Sequence, residues 1–298
     1  MSPSIVILTE DRYEDPCEKN WYSQNIILED SLLQKALVNL GFIVYRSSWS
    51  SKTFNWESVD FAIFRSTWDY FERLDEFLNW VRFYSKNIKF INDIDLVLWN
   101  LDKKYLQSFP KKNIVPSLFL KLNENTSLET IFKQTNWKEI VIKPSISASA
   151  WNTHRISKNK SKDFNLIFNK LKKEHRMIVQ EFQSNVLSIG EVSIMVFGGV
   201  FPHAVLKKAK ENDYRVQDDF GGSVSVYKPS KAEIEFAEKI INLCPKKPIY
   251  ARVDILFDKY KNPILSELEV IEPELWFRMN IGSAKLLAEK VLGLIKTH

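Results

Sequence analysis

Short apolar runs alternate with amphipathic stretches over the first hundred residues of the chain. Apolar residues at helical spacing predict helices over residues 26–40 and 74–84, and Gly41 provides a stop signal for the first of them. Apolar runs between these stretches predict buried strands at residues 5–8, 42–45, 61–64 and 90–92. The order strand, helix, strand predicts an open α/β layer.

The rest of the chain is richer in predicted strands. Apolar or alternating runs predict strands at residues 139–144, 154–156, 177–182, 191–197, 200–206, 250–257 and 263–271. Gly198 and Gly199 are expected to form a tight turn between two of them. Helical spacing predicts two further helices at residues 230–243 and 284–295. A composition shift near residues 100–110 predicts a domain boundary.

A predicted β-hairpin over residues 250–271 carries four charged side chains at strand spacing. Side chains two apart share a face, so Arg252 lies with Asp254 and Glu267 with Glu269. The simplest antiparallel register places Asp254 opposite Glu267 and Arg252 opposite Glu269. An oxygen-only cluster of this kind suits Mg²⁺. The alternative is a hairpin with one solvated acidic face.

The segment Arg65-Ser66-Thr67-Trp68-Asp69-Tyr70 follows the third predicted strand. Ligands bind beyond the carboxyl ends of the strands in open α/β sheets. Arg65 could therefore bind the carboxylate of a zwitterionic substrate and Asp69 its ammonium group. The alternative is a helix start, in which Asp69 caps the helix at residues 74–84 and the two aromatic rings pack on it.

A lysine leaves the predicted strand at residues 139–144 just before a loop of small residues. Lys143 precedes the loop at residues 145–153, whose small side chains would let backbone N–H groups approach a phosphate. A lysine at a strand end is also commonly just solvated. This motif alone therefore gives a weak indication of a phosphate site.

The bulk composition is that of an ordinary globular protein of about two domains, with 298 residues, 45% hydrophobic and 27% charged. No run approaches the roughly 18 apolar residues that span a bilayer, and the apolar run at residues 5–8 is too short for a secretory signal. A cytoplasmic location is therefore expected.

The two cysteines and four histidines lack the spacing of a disulfide framework or zinc site. The basic stretch at residues 158–176 has a helical apolar face, which favours a solvated helix over a nucleic-acid-binding patch.

The order and spacing of these motifs resemble the ATP-grasp ligases that carry a glutathione-synthetase-type ATP-binding domain, over essentially the whole chain. The resemblance implies an α/β fold of the α+β ATP-grasp type. An N-terminal open parallel sheet domain would span residues 1–105. A lid subdomain at 106–182 and a catalytic subdomain at 183–298 would sandwich the nucleotide. The resemblance also implies ATP and Mg²⁺ as cofactors.

The resemblance also implies roles for individual residues. The residues expected to bind the nucleotide are Lys103, Lys143, Ser147, Gln180, Glu181, Phe182, Glu191 and Lys208. The expected magnesium ligands are Asp254, Glu267 and Glu269. Arg215 would lie over the reacting phosphate, and Arg252 would stabilise an oxyanion. The expected substrate residues are Arg65, Ser66, Trp68, Asp69, Tyr70 and Glu274.

Two positions depart from the family pattern. The loop SISASAW lacks the glycines usual in the lid, and Glu269 stands where the family commonly has asparagine. Within the family, the motifs RSTWDY, WNLDK, YARVD and ELEVIEP most resemble the cyclo-ligases that close the cycloserine ring from a ureido-serine precursor.

The expected function is therefore an ATP- and Mg²⁺-dependent carboxylate–amine ligase. It would act on a small amino acid or derivative through an acyl phosphate, with intramolecular cyclisation as one form of the reaction. The alternative is a nucleotide-binding protein of the same fold without ligase activity. Neither nucleic acid nor a membrane is expected as a partner, and a homodimer is left open.

Overall fold

An open parallel sheet forms the N-terminal part of the chain. The computed structural model describes residues 2–17, 20–210, 213–216 and 221–296. The four strands are β1 (Ser4–Thr9), β2 (Ile43–Ser48), β3 (Phe61–Ser66) and β4 (Lys89–Phe90), in the order β2-β1-β3-β4. All of their pairings are parallel. Every residue of β1 and β3 is buried, which explains why they read as continuous apolar runs.

Helices flank this sheet. They are α1 (Asp11–Glu14), α2 (Trp21–Asn39) and α3 (Leu74–Tyr84), and α3 has the predicted bounds. Helix α2 begins five residues earlier than predicted because the Asn20 side chain accepts a hydrogen bond from the Ser23 N–H and caps the helix. Gly41 follows it with a φ of 91°, as its predicted stop role requires.

A linking segment leads to a second, antiparallel sheet. The link contains α4 (Ile94–Leu101) and two 3₁₀ helices, Lys103–Ser108 and Lys111–Asn113. The sheet comprises β5 (Ser117–Leu120), β6 (Glu139–Pro144), β7 (His154–Ser157) and β8 (Met177–Glu181), in the order β5-β8-β6-β7. Helices α5 (Leu128–Thr135) and α6 (Ser161–Glu174) pack against each other on this sheet. Strand β5 was not predicted.

A five-stranded antiparallel sheet completes the chain. Its strands are β9 (Glu191–Phe197), β10 (Ala204–Lys208), β11 (Ser223–Tyr227), β12 (Tyr250–Phe257) and β13 (Pro263–Glu269), in the order β11-β10-β9-β12-β13. The predicted strand at 200–206 is misplaced: only Val200 bridges back to Phe197, and Pro202 lacks the N–H that a ladder needs. Two helices accompany the sheet, α7 (Lys231–Asn242) and α8 (Gly282–Lys296).

The first and third sheets share their hydrophobic cores, whereas the second has its own. One core joins Val6 and Phe77 to Val253, and another joins Leu33 to Leu287. The buried cluster that includes Phe168 draws only on residues between 120 and 179. In the part of the chain that the structure describes, no helix is both long and apolar enough to cross a membrane.

Candidate active site

The acidic hairpin has the predicted register. Arg252 lies opposite Glu269 and Asp254 opposite Glu267, so the four side chains share one face of β12 and β13. A bulge after Asp254 leaves Ser266 as an extra residue in β13. The bulge ends the simple alternation: Arg252 and Asp254 precede it in β12, and Glu267 and Glu269 follow it in β13.

This charged face forms the floor of a deep cleft between the second and third sheets. Tyr22, Trp68 and Tyr70 of the N-terminal part close one end of it. Most of the residues expected from the sequence line this cleft, namely Lys103, Lys143, Ser147, Gln180, Glu181, Phe182, Glu191, Arg215, Arg252, Asp254, Glu267, Glu269 and Glu274. Side chains that are spread along the sequence from Tyr22 to Trp276 therefore line one cavity.

The predicted cations pair with the predicted metal ligands. Arg252 donates to both oxygens of Asp254 at 2.8–3.1 Å and also binds Glu269. Lys103 and Lys143 lie 3.2 and 3.7 Å from the Glu267 carboxylate. In the described ranges, no three acidic, histidine or cysteine side chains are grouped so that they could hold a metal ion. The donor set is made of oxygens, as Mg²⁺ requires, but these oxygens face the cations, so the magnesium assignment stays a prediction.

Burial and charge act differently on the carboxylates of the hairpin. Burial opposes ionisation of Asp254, but Arg252 and Lys207 outweigh it and lower its pKa. Burial likewise opposes ionisation of Glu267, whose pKa Lys103 and Lys143 bring below its ordinary value. The pKa of Glu269 is raised to about 8, chiefly by burial. Repulsion from its acidic neighbours adds to this increase, and the attraction of Arg252 offsets only part of it. The site therefore holds a mixture of firmly ionised and weakly acidic groups.

Lys208 does not reach the cleft, and Lys207 does. Lys208 is exposed, whereas Lys207 is buried, binds Glu191 and lies 3.5 Å from Asp254. Lys207, and not Lys208, is therefore the lysine of this pair that lies at the cleft, and a nucleotide-binding role stays a prediction. The sequence has two adjacent lysines here, and only the pairing of Lys207 with Glu191 across β9 and β10 shows which one faces inward.

Residues 180–182, which are expected to bind the nucleotide, lie at the end of β8. Gln180 donates from its side chain to Ser117 at 3.0 Å, and the Phe182 N–H donates to the Glu139 carbonyl. The Arg155 guanidinium lies 3.8 Å from the centroid of the Phe182 ring. This end of the cleft is therefore held in place by both sheet and side-chain contacts.

The segment Arg65–Tyr70 divides into two groups. Trp68 and Tyr70 line the cleft, but Asp69 does not: its carboxylate accepts hydrogen bonds from Trp49 at 2.7 Å and Arg73 at 3.1 Å. Because both oxygens are engaged in the fold, we no longer assign Asp69 to a substrate ammonium group. It is not a helix cap either, since it lies inside the 3₁₀ helix Trp68–Phe71.

Arg65 and Ser66 line a small side cavity beside the cleft, together with Trp68 and Glu274. The Ser66 hydroxyl is hydrogen bonded to Thr9 at 2.7 Å. Arg65 is 3% exposed and donates through Nη2 to Glu29 at 2.6 Å. Its Nε and Nη1 have no hydrogen-bond partner in the described part of the chain. Two buried donors are therefore available at this end of the site.

Sequence reasoning missed Glu272, which also lines the cleft. Its backbone carbonyl accepts a hydrogen bond from the Trp68 indole at 3.0 Å, and its carboxyl group is hydrogen bonded to the Tyr70 hydroxyl. Strand spacing from Glu267 and Glu269 points to residue 271 as the next inward side chain. Because β13 ends at Glu269, that spacing no longer applies, and Glu272 turns inward instead.

The fold agrees with comparisons to known proteins. Residues 102–275, well over half of the chain, match the family described as prokaryotic glutathione synthetase, ATP-grasp domain. The chain therefore belongs to this family and is an ATP-grasp ligase. Residues 5–92 match the N-terminal domain of D-cycloserine synthetase DcsG.

Individual relatives match most of the length of the chain. The cycloserine biosynthesis protein DcsG of Streptomyces lavendulae is 23% identical over 277 residues, covering 89% of this chain and 93% of the relative. The crystal structure of D-cycloserine synthetase DcsG superposes with a TM-score of 0.86 at 20% identity, covering 98% of this chain and 99% of that one. D-alanine–D-alanine ligase from Bacillus anthracis superposes with a TM-score of 0.67 at 13% identity, covering 99% of both chains.

Proposed function

We propose that this protein is an ATP- and Mg²⁺-dependent carboxylate–amine ligase that closes a ring within an O-substituted serine, such as a ureido-serine. The observation that carries the proposal is one cleft in which Lys103 and Lys143 converge on an acidic hairpin that also carries Arg252. The similarity to a cycloserine biosynthesis protein supports a small amino-acid derivative as the substrate. The three-part division at residues 105 and 182 is part of the same proposal.

The cations of the cleft bind the phosphates. Lys103 and Lys143 lie on one side of Glu267, and Lys207 lies beside Asp254 and Glu191. These ammonium groups neutralise the charge on a transferring phosphoryl group, and Arg215 adds a guanidinium from the cleft wall. Asp254, Glu267 and Glu269 would hold Mg²⁺, which when bound screens the charge of the ATP phosphates. The ion pairs seen between the cations and carboxylates are exchanged for contacts to the nucleotide.

The ligation itself needs no protein nucleophile. The substrate carboxylate attacks the γ-phosphate of ATP, ADP leaves, and the resulting acyl phosphate is then attacked by a nitrogen of the substrate. Arg252 lies on the hairpin face and lines the cleft, where its guanidinium would stabilise the oxyanion of the tetrahedral intermediate. Phosphate leaves as the C–N bond is completed.

A screen for ADP release tests the proposal. The protein is incubated with ATP, Mg²⁺ and a panel of amino acids, including O-substituted serines, alone and in pairs. Activity with a single O-substituted serine indicates ring closure, and a need for two compounds indicates intermolecular ligation. Hydroxylamine added to the same reactions should yield a hydroxamate from the acyl phosphate. A protein that binds ATP but yields neither ADP nor hydroxamate with any of the panel would contradict the proposal.

A further inference from the structure

Glu272 is held at the substrate end of the cleft by residues from the N-terminal part of the chain. It is 6% exposed and follows the last residue of β13 by three positions. Trp68 fixes its backbone carbonyl and Tyr70 bonds its carboxyl group. Its side chain therefore has a fixed position between the acidic hairpin and the two aromatic residues that close the cleft.

Glu272 differs from the other carboxylates of the cleft floor. Asp254, Glu267 and Glu269 each pair with at least one cation within 4 Å. In the described part of the chain, Glu272 has no ion pair, and the Tyr70 hydroxyl is its hydrogen-bonding side chain. Among the carboxylates that follow Arg252 on the cleft floor, Glu272 is thus one that no cation of the described residues neutralises.

Several titratable groups face Glu272 from the surrounding elements. They are Tyr70, Lys103, Tyr250, Glu267 and Glu269. Burial raises the pKa of Glu272 to about 7, because the attraction of Lys103 and the hydrogen bond from Tyr70 offset only part of the burial and of the repulsion from Glu267. A carboxylate with such a pKa is suited to accept a proton near neutral pH.

We propose that the Glu272 carboxylate binds the attacking nitrogen of the substrate and accepts the proton that this nitrogen releases. The inference rests on the proposed function. As the nitrogen attacks the acyl phosphate, the C–N bond forms and one N–H proton passes to Glu272. The bond between the acyl carbon and the phosphate oxygen then breaks, and phosphate leaves with the electron pair. Glu272 returns its proton to solvent when the product departs.

The variant Glu272→Gln tests this role because it keeps the size and hydrogen-bonding capacity of the side chain. With O-ureidoserine and, separately, D-alanine as probes, ring or peptide product formation should fall by ~100-fold or more, the range of general-base catalysis. Hydroxamate formation with added hydroxylamine should stay within about 3-fold of the unmodified protein, since this neutral nucleophile needs no enzyme base. The exposed Glu238→Gln on α7 serves as the matched control and should change neither rate.

The pH profile separates proton transfer from a merely structural role. In the unmodified protein, product formation should rise as the pH increases through about 7, when Glu272 loses its proton. Glu272→Gln should lack this rise. Tyr70→Phe removes a hydrogen bond that favours the ionised form, so it should move the rise to higher pH.

The possible outcomes distinguish this inference from the proposed function. Product formation by Glu272→Gln at the unmodified rate, or with the same pH rise, overturns the proton-acceptor role. Loss of hydroxamate together with product also overturns it, because the acyl phosphate step would then need Glu272. If the unmodified protein yields neither ADP nor hydroxamate with either probe or the wider panel, the proposed function itself fails, and this inference with it.

Discussion

At the scale of single residues, Glu267 is the carboxylate that both phosphate-binding lysines approach, and its pKa is lowered accordingly. Glu267→Gln removes a negative charge that we assign to Mg²⁺ binding while keeping the shape of the side chain. The rate of ADP release should fall by ~100-fold or more, because the negative charge assigned to Mg²⁺ binding is lost. The circular dichroism spectrum should not change. Normal turnover in this variant would remove Glu267 from the site.

Arg65 offers a second prediction at this scale. Arg65→Lys keeps a positive charge beside Glu29 but removes the two buried donors that have no partner in the described ranges. The KM for the amino-acid substrate should rise about 10-fold, because a planar donor pair is lost, and the KM for ATP should stay the same. Equal effects on both constants would indicate a general disturbance, since Glu29 also accepts hydrogen bonds from the Leu275 and Phe277 N–H groups.

At the scale of elements, the hairpin shows what the sequence could predict. The alternation within β12 is regular, so the facing of Arg252 and Asp254 and their register with β13 could be predicted correctly. The inward turn of Glu272 could not, because it follows the end of a strand, where no period applies. Asp69 was misplaced for a related reason: its partner Trp49 lies 20 residues away and only the tertiary fold brings it to the carboxylate, while Arg73 lies four residues further along the chain. Strand β11, with the sequence SVSVY, carries an alternation that predicts a strand and was overlooked.

The lid loop between β6 and β7 reaches glycine-like conformations without glycine. Ser149, Ala150 and Asn152 have φ values of 49–52°, in the left-handed region that costs a residue with a β-carbon ~1–2 kcal/mol. Trp151 packs on Phe71 of the N-terminal part, with ring centroids 5.3 Å apart. The loop therefore keeps its strained shape with the help of a contact to another part of the molecule.

Two neighbouring alanines test this strain directly. Ala150→Gly relieves a left-handed β-carbon and should leave stability unchanged or raise it by up to ~1 kcal/mol. Ala148 is not among the residues with positive φ, so Ala148→Gly should only gain unfolded-state entropy and lose ~0.5–1 kcal/mol. Urea denaturation measures both. Equal destabilisation by the two substitutions would show that the lid loop does not hold the left-handed conformation in solution.

At the scale of the whole molecule, the first and third sheets behave as one packed body, and Asn92 joins them. Its side chain donates to the Tyr250 and Val270 carbonyls at 2.8 and 2.7 Å, and it accepts a hydrogen bond from the Ile249 N–H at 2.7 Å. Asn100 forms a similar pair of bonds with Leu268 and Val270. The second sheet, with its separate core, is not part of this junction. The first and third sheets are therefore joined by hydrogen bonds as well as by shared cores, and the second sheet packs around a core of its own.

Asn92→Ala tests this division. It leaves buried backbone groups of β12 and of the segment after β13 without partners, which should cost about 2–3 kcal/mol of unfolding free energy. Hydrogen exchange should become faster in both β1–β4 and β9–β13, because the two sheets share their cores, while β5–β8 keep their protection. Asn87→Ala, at an exposed position between α3 and β4, is the control and should change stability by less than about 0.5 kcal/mol. Faster exchange in only one of the two sheets, or equally in all three, would mean that the first and third sheets do not unfold as a unit.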